Sequence, residues 1–355
     1  MKVLQVIPTL NLAGAERMCE NLSVELTRQG IEVVVVSLFS YHTPISNRLE
    51  HEGVKVIFLN KRPGLDLRMI VALTKVMKRE RPDVLHTHIH VMQYAVPAAI
   101  LAGVKKRVHT VHNVADKEAT PGKQKFNYFF YHKCNVIPVA LSEEIKQTIT
   151  KRYNVNENDI PVIFNGIDLS KCIIKKSYNA SSESFNILNI ARLAEQKNHR
   201  MLLHVMKELK NQWPSVRLSI IGNGFLKNEI ISEINQLNIN DMVELLGVKD
   251  NVYQYLSQAD MFILPSLYEG MPMTLIEAMG SALPIVTTNV GGIPTMIENE
   301  KEGLLVNPNG QELLDAILKL KDENSRRTMG QNARNKALKK FSAEQMAKAY
   351  INIYR

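Results

Sequence analysis

The sequence predicts an α/β protein of two parallel-sheet domains, and three observations carry that reading. Its 355 residues exceed one typical domain and suit two. Val/Ile-rich strand-like runs alternate with amphipathic helical segments from end to end, the pattern of strands buried on both faces. A polar, basic, Ser-rich stretch, SKCIIKKSYNASSESF (170–185), interrupts the alternation and is the expected linker.

In the first half the strand-like runs are KVLQVI (2–7), EVVVVSL (32–38), KVIFL (55–59), DVLHTH (83–88), RVHTVH (107–112), NVIPVAL (135–141) and IPVIF (160–164). Helical segments such as AERMCENLSVELTRQG lie between them, that one ending on a helix-stopping Gly30. Beyond residue 185 come FNILNIA, VRLSIIG, MVELLG, MFILP, PIVTT and GLLV, again with helices between. Two Rossmann-like domains with a cleft between them follow, neither repeating the other's sequence. FSAEQMAKAYINIY closes the chain as a further helix.

Bulk properties exclude several classes. Hydrophobic residues make up 45% and charged residues 22%, a soluble globular balance. No apolar run reaches the roughly 18–20 residues of a membrane span. MKVLQVIPTL reads as a first strand rather than a signal peptide, so the sequons at Asn21 and Asn179 carry no weight. Cys19, Cys134 and Cys172 are scattered without metal spacing, which points to a reduced cytoplasmic setting. The net charge of +9 is uneven: residues 1–165 carry 22 Lys and Arg against 15 Asp and Glu. That half expects an anionic partner, but no zinc finger, RNP motif or basic-region helix supports nucleic acid.

Ligands of open α/β sheets bind beyond the carboxyl ends of the strands, which directs attention to the strand-to-helix turns. PTLNLAGAERM (8–18) places backbone N–H groups of Ala13 and Gly14 where an anion can sit, or simply makes a tight turn. It is not GxGxxG, and no P-loop Lys follows. In ARLAEQKNHRMLL (191–203), Arg192 and Lys197 offer two cations at a strand end, suited to a diphosphate. Gly222 and Gly224 of IIGNGFLKNEI allow close backbone approach or a plain turn, and the Val248 loop of LLGVKDNV has the same character, with a backbone suited to a flat base.

PSLYEGMPMTLIEAMG (265–280) is the most informative stretch. A strand breaks at Gly270 and Pro272 into a helix, and two acids bracket its N-terminus: Glu269 in the loop and Glu277 about 6 Å of helix rise beyond Met273. Phosphates at that N-terminus would repel carboxylates, so the acids suit hydroxyls on either side of the phosphates. A nucleotide-sugar has that layout, with ribose to Glu277 and the sugar to Glu269. For Glu269 alone, pairing with the helix dipole would be the simpler account.

These residues resemble the E-x7-E signature of the retaining GT-B glycosyltransferases of family 4. The resemblance extends through AGAER (13–17), VHN (111–113), LSEEIK (141–146), FNGID (164–168), ARLAEQKN, IGNG, PSLYEGMP, IEAMGSALPIV, GGIPTMI (291–297) and EGLLV (302–306), in order and spacing. It implies two Rossmann-like domains facing across a cleft, an N-terminal acceptor-binding domain (1–165) with a C-terminal helix (341–355) crossing back to it, and a donor-binding domain (166–340). It further implies Arg192 and Lys197 on the diphosphate, Gly14 near the donor phosphate, Glu277 on ribose, and Glu269 with the Gly270–Met271–Pro272 backbone on the sugar. Gly222, Gly224, Val248, Met273, Thr274 and Leu275 complete the donor side. His112 matches a histidine facing the donor sugar, and Glu16, His88 and Asn113 fall on the acceptor side. The family's first loop often reads Gly-Gly, where this chain has Ala13-Gly14.

The expected reaction moves a hexose or N-acetylhexosamine, with retention, from a nucleotide-sugar (UDP-linked by family preference) to a glycan or polyprenyl-diphosphate-linked acceptor in surface polysaccharide or glycolipid synthesis. No DxD motif is present, so neither metal nor cofactor is expected, and fixed cations take that place. His86, His88 and His90 of HTHIH alternate onto one face of an extended chain, but no fourth ligand is spaced for zinc. KQKFNYFFYHK (123–133) interleaves lysines with aromatics, either a helix with a core face or a contact with an anionic membrane at the cytoplasmic side. An epimerase or hydrolase on the same fold, or a silent nucleotide-sugar-binding scaffold, are the competing readings.

Overall fold

In a computed structural model, residues 1–118, 120–178 and 184–355 are described. The chain divides into two compact units, Met1–Ile167 with Ala343–Arg355, and Asp168–Ser342. The first contains strands β1 (Lys2–Ile7), β2 (Glu32–Ser37), β3 (Lys55–Phe58), β4 (Val84–His88), β5 (Lys106–Val111) and β6 (Val136–Ala140). All pair in parallel, in the order β3-β2-β1-β4-β5-β6. The second contains β7 (Phe185–Ile190), β8 (Val216–Ile221), β9 (Val243–Gly247), β10 (Met261–Leu264), β11 (Ile285–Thr288) and β12 (Leu304–Val306), ordered β12-β11-β10-β7-β8-β9. Read from its own first strand, each sheet has the 3-2-1-4-5-6 order, whose direction reverses between β1 and β4 in one unit and between β7 and β10 in the other. Those reversals open a crevice at the carboxyl edge of each sheet.

Side-chain alternation assigns the faces of the first sheet. Leu4, Val6, Val34, Val36 and Leu85 share a core with the helices Arg68–Glu80 and Met92–Ala102. Gln5 and His88 point the other way, toward helix Gly14–Arg28. The C-terminal helix Ala343–Tyr354 packs on that same helix. There Tyr354 OH bonds His86 Nδ1 and Tyr350 OH bonds Thr110 Oγ1, each at 2.7 Å.

Two expectations from sequence need correction. IPVIF (160–164) is not a strand: only Val162 bridges Ala140, because Pro161 has no N–H to extend a ladder. Residues 170–178 of the expected linker are built into the second unit. Cys172 and Tyr178 are buried there, and Lys175 Nζ reaches Ala259 O at 2.7 Å and Asp260 Oδ1 at 3.1 Å. Residues 179–183, with the Asn179 sequon, lie outside the described residues. No described helix is long and apolar enough to cross a membrane, and all three cysteines are buried free thiols.

Candidate functional site

In the second unit the loops after β7 and β10 meet at the reversal point. Leu267 N donates to Gln196 O and Gln196 Nε2 to Tyr268 O, both at 2.8 Å. This lacing brings together Lys197 and Glu269, 72 residues apart, whose side chains form an ion pair between Nζ and Oε1. Ser266 Oγ donates to the same carboxylate oxygen at 2.6 Å. Both bonds fall on Oε1, and Glu269 is nearly fully buried, so its charge is held by a cation and a hydroxyl as burial demands. Arg192 stands exposed at the end of the same loop.

Glycines hold these loops in place. A Cβ on Gly291, whose φ is +55°, would lie 1.8 Å from Glu269 O, and Gly292 N donates to that oxygen at 3.2 Å. Thr288 Oγ1 donates to Ser266 O at 2.6 Å. Sequence reasoning noted the Gly291–Gly292 pair only as part of a matching stretch and missed Ser266 and Thr288; hydroxyls at strand ends facing an acidic loop were the available signal. Gly222 and Gly224 come close to the protein itself: a Cβ there would meet Ala191 O at 1.9 Å and Leu193 O at 2.1 Å. They shape the Arg192 loop from behind.

Helix Met273–Gly280 starts at Pro272 without a side-chain cap, which leaves N–H groups of its first turn to an incoming acceptor. Met271, Met273 and Leu275 bury their side chains, so only backbone can face a ligand. Leu275 N–H donates to Pro272 O at 3.1 Å, and its side chain joins the helix's packing. Thr274 remains partly exposed beside it. Glu277 lies a turn into the helix and is 2% exposed. Val248 is exposed just past Gly247, whose φ is +69°.

In the first unit Gly14 opens helix Gly14–Arg28 at an exposed, uncapped N-terminus. Ala13 has φ −131°, a conformation any residue adopts, so the Ala-Gly loop needs no second glycine. Glu16 is buried two residues on, within the first turn, and accepts from Thr9 Oγ1 at 3.1 Å.

A buried polar chain ends at His112. Ser23 Oγ donates to Cys19 O, so Gln5 Nε2 must donate to Ser23 Oγ, each at 2.7 Å. Gln5 Oε1 then accepts from His88 Nε2 at 2.7 Å. That leaves His88 Nδ1 as the acceptor for His112 Nε2 at 3.1 Å, and His112 Nδ1 keeps its lone pair. Burial pulls His88 well below the usual imidazole range and His112 down to about 3, the other histidines adding to it, so both rings stay neutral.

His88 was expected on the acceptor side. It is completely buried and acts behind His112 instead. His86, His88 and His90 do not share one face either: the strand ends at His88, Ile89 takes φ +56°, and His90 turns out to solvent. No metal-binding group of three such side chains occurs among the described residues. Asn113 is partly exposed next to His112, its Oδ1 accepting from Val114 N at 2.8 Å.

Comparison with known proteins agrees with this geometry. Residues 12–171 match the family model described as Glycosyltransferase Family 4, and residues 170–336 the model for glycosyl transferases group 1. The chain is 30% identical over 294 residues to the UDP-Gal:alpha-D-GlcNAc-diphosphoundecaprenol alpha-1,3-galactosyltransferase of Escherichia coli, covering 78% of this chain and 76% of that one. It is 28% identical over 310 residues to the N-acetyl-alpha-D-glucosaminyl L-malate synthase of Bacillus anthracis, covering 82% and 79%. Among solved structures, Anabaena Alr3699/HepE in complex with UDP and glucose superposes with TM-score 0.86 at 16% identity over 99% of this chain and 98% of that one. A glycosyltransferase from Rickettsia africae superposes with TM-score 0.83 at 20% identity, covering 99% and 97%.

Proposed function

Because the chain belongs to the family 4 glycosyltransferases of the GT-B fold, we propose that it transfers a hexose or N-acetylhexosamine, with retention, from a UDP-sugar to a hydroxyl of a polyprenyl-diphosphate-linked or glycan acceptor. The observation that carries the donor half is the Lys197–Glu269 pair at the β7/β10 reversal. A diphosphate arriving beside Arg192 and the N-terminus of helix Met273–Gly280 gives Lys197 a second anionic partner. Glu269 then has Oε2 to accept from a sugar hydroxyl, while Glu277 takes the ribose diol. The names of the E. coli relative and of the Anabaena complex support UDP and a lipid-linked acceptor. On this reading the enzyme works at the cytoplasmic face of a membrane.

The reaction breaks the bond between the anomeric carbon and the diphosphate oxygen and forms one to the acceptor oxygen on the same face. The acceptor's proton passes to the departing diphosphate. Charge grows on that group, and Arg192, Lys197 and the helix N-terminus are fixed where they stabilise it. We assign this neutralisation to protein cations rather than a divalent ion. His112 Nδ1, locked as an acceptor, suits a hydroxyl of the transferred sugar, and Gly14 N–H suits a donor phosphate oxygen.

The test is calorimetric titration of UDP, GDP, ADP and CDP, with EDTA present, into the wild type and Glu277→Ala. Binding of UDP above the others, lost in the variant, supports the donor site and selects UDP-sugars for an acceptor screen. No binding by any nucleotide overturns the metal-free donor site. Binding without turnover on any lipid-linked or glycan acceptor favours a silent scaffold.

A further inference from the structure

Glu118 is a buried acid that the proposed chemistry does not use. It ends the short helix Ala115–Glu118 and is 6% exposed, yet neither of its carboxylate oxygens has a hydrogen-bond partner among the described residues. Its Oε1 lies 3.4 Å from His109 Nε2, an ion-pair distance without a hydrogen bond. The hydroxyls of Tyr131 and Thr150 are buried in the same unit and equally without partners. Burial, with Glu118 beside it, pushes the Tyr131 hydroxyl well above its usual value. A carboxylate buried with so few bonds costs stability. Packing alone would be served better by an apolar side chain of similar size.

Its position in the chain suggests what the acid does. Along β5, Thr110 faces the C-terminal helix, so His109 faces the other way, its ring 6.4 Å from that of Tyr131 in helix Pro121–Lys133. His109 Nδ1 is 2.9 Å from Thr87 Oγ1 on β4, which fixes the ring to the sheet and leaves Nε2 for Glu118. The chain leaves β5 at Val111, passes through His112 and Asn113, and returns at Glu118 to the strand it left.

Other bonds hold this stretch to helices. Thr148 Oγ1 accepts from Ala115 N at 3.1 Å, and Gln124 Nε2 donates to Asp116 O at 3.3 Å. The pair with His109 ties it to the strand itself. His88 sets the ring of His112 from one face of the sheet, and Glu118 approaches from the other.

We propose that Glu118 is a positioning residue: its ion pair with His109 draws residues 112–118 onto β5 and so holds His112 and Asn113 in place for the acceptor. What those two residues touch rests on the proposed function; the tether does not.

The test is hydrogen exchange of residues 112–118 in the full-length chain, with Tm from scanning calorimetry, for the wild type, Glu118→Leu and Glu118→Gln. In the Leu variant the amides of 113–118 should exchange about tenfold faster. Its Tm should not fall, because a poorly paired buried charge has gone. The Gln variant can still bond His109 Nε2 through its amide, and its exchange should stay within about threefold of the wild type. UDP affinity should be unchanged in both. On an acceptor that the wild type uses, Glu118→Leu should lower kcat/KM about a hundredfold, and Glu118→Gln should retain most of it. Unchanged exchange in the Leu variant overturns the proposal, as does equal loss in the Gln variant. So does a lower Tm with faster exchange throughout the first unit, which would make Glu118 a structural residue only. If the wild type turns over no acceptor, it is the proposed function that fails, and exchange with Tm still decides the tether.

Discussion

His112 Nε2 lies 3.1 Å from His88 Nδ1, and that one bond decides which nitrogen of His112 is left to act. The decision is made at Gln5, whose amide orientation is set by Ser23 and whose oxygen claims the proton of His88. Gln5→Leu removes the reference point and frees both rings to exchange tautomers. Long-range ¹H–¹⁵N spectra of the wild type should show His112 protonated only at Nε2, and the variant a mixture. With the sugar hydroxyl less well held, kcat should fall about tenfold at unchanged nucleotide affinity. A single unchanged tautomer in the variant would refute the relay.

The same histidines make the first unit sensitive to acid. Burial lowers His86, His88 and His112, so each is neutral when folded and takes up a proton near its ordinary value of 6.5 when unfolded. The unfolded state therefore binds more protons as pH falls, and stability present above pH 6.5 drains away below it, continuing toward the value of about 3 at His112. Scanning calorimetry from pH 7.5 to 4.5 should show a falling Tm. His88→Gln should flatten that fall, even if it is less stable at pH 7.5.

Lys197 and Glu269 neutralise each other in a largely buried site. Lys197→Met alone strands a carboxylate and Glu269→Gln alone strands an ammonium, each expected to cost of order 3 kcal/mol. The double variant should recover a large part of that loss in urea unfolding while remaining inactive. Additive losses would show that the two residues do not depend on each other.

Gly291→Ala meets two obstacles, a φ of +55° and a carbonyl 1.8 Å from the new Cβ. That carbonyl is Glu269's own, so the variant should displace the loop and reduce kcat/KM at least a hundredfold. Gly103→Ala, with φ +79° and nothing within 4 Å, carries only the conformational cost of about 1–2 kcal/mol. Its activity should match the wild type at 25 °C.

The runs of β2 and β10 are legible because a strand buried on both faces is apolar along most of its length. IPVIF had the same composition and failed on one missing N–H at Pro161. In the site, charges at strand ends could be read directly, since loops after parallel strands have few other reasons to hold Arg192, Lys197 and Glu269 together. Their pairing could not, because 72 residues separate Lys197 from its acid. The relay was further out of reach: His88 and Gln5 are 83 positions apart, and nothing local marks a glutamine inside a strand as the residue that orients an imidazole. Gly222 and Gly224 were visible as close-approach glycines, but what they approach is decided by tertiary structure alone.

The helix Ala343–Tyr354 completes a unit whose other residues end at Ile167. During synthesis at about 5–20 residues per second, the intervening unit takes roughly 10–35 s to emerge. For that interval His86 and Thr110 lack the tyrosine hydroxyls that satisfy them, and the face of helix Gly14–Arg28 is uncovered. The unit made first is therefore finished last, and the stretch of nascent chain between those two moments is when a chaperone has most to protect.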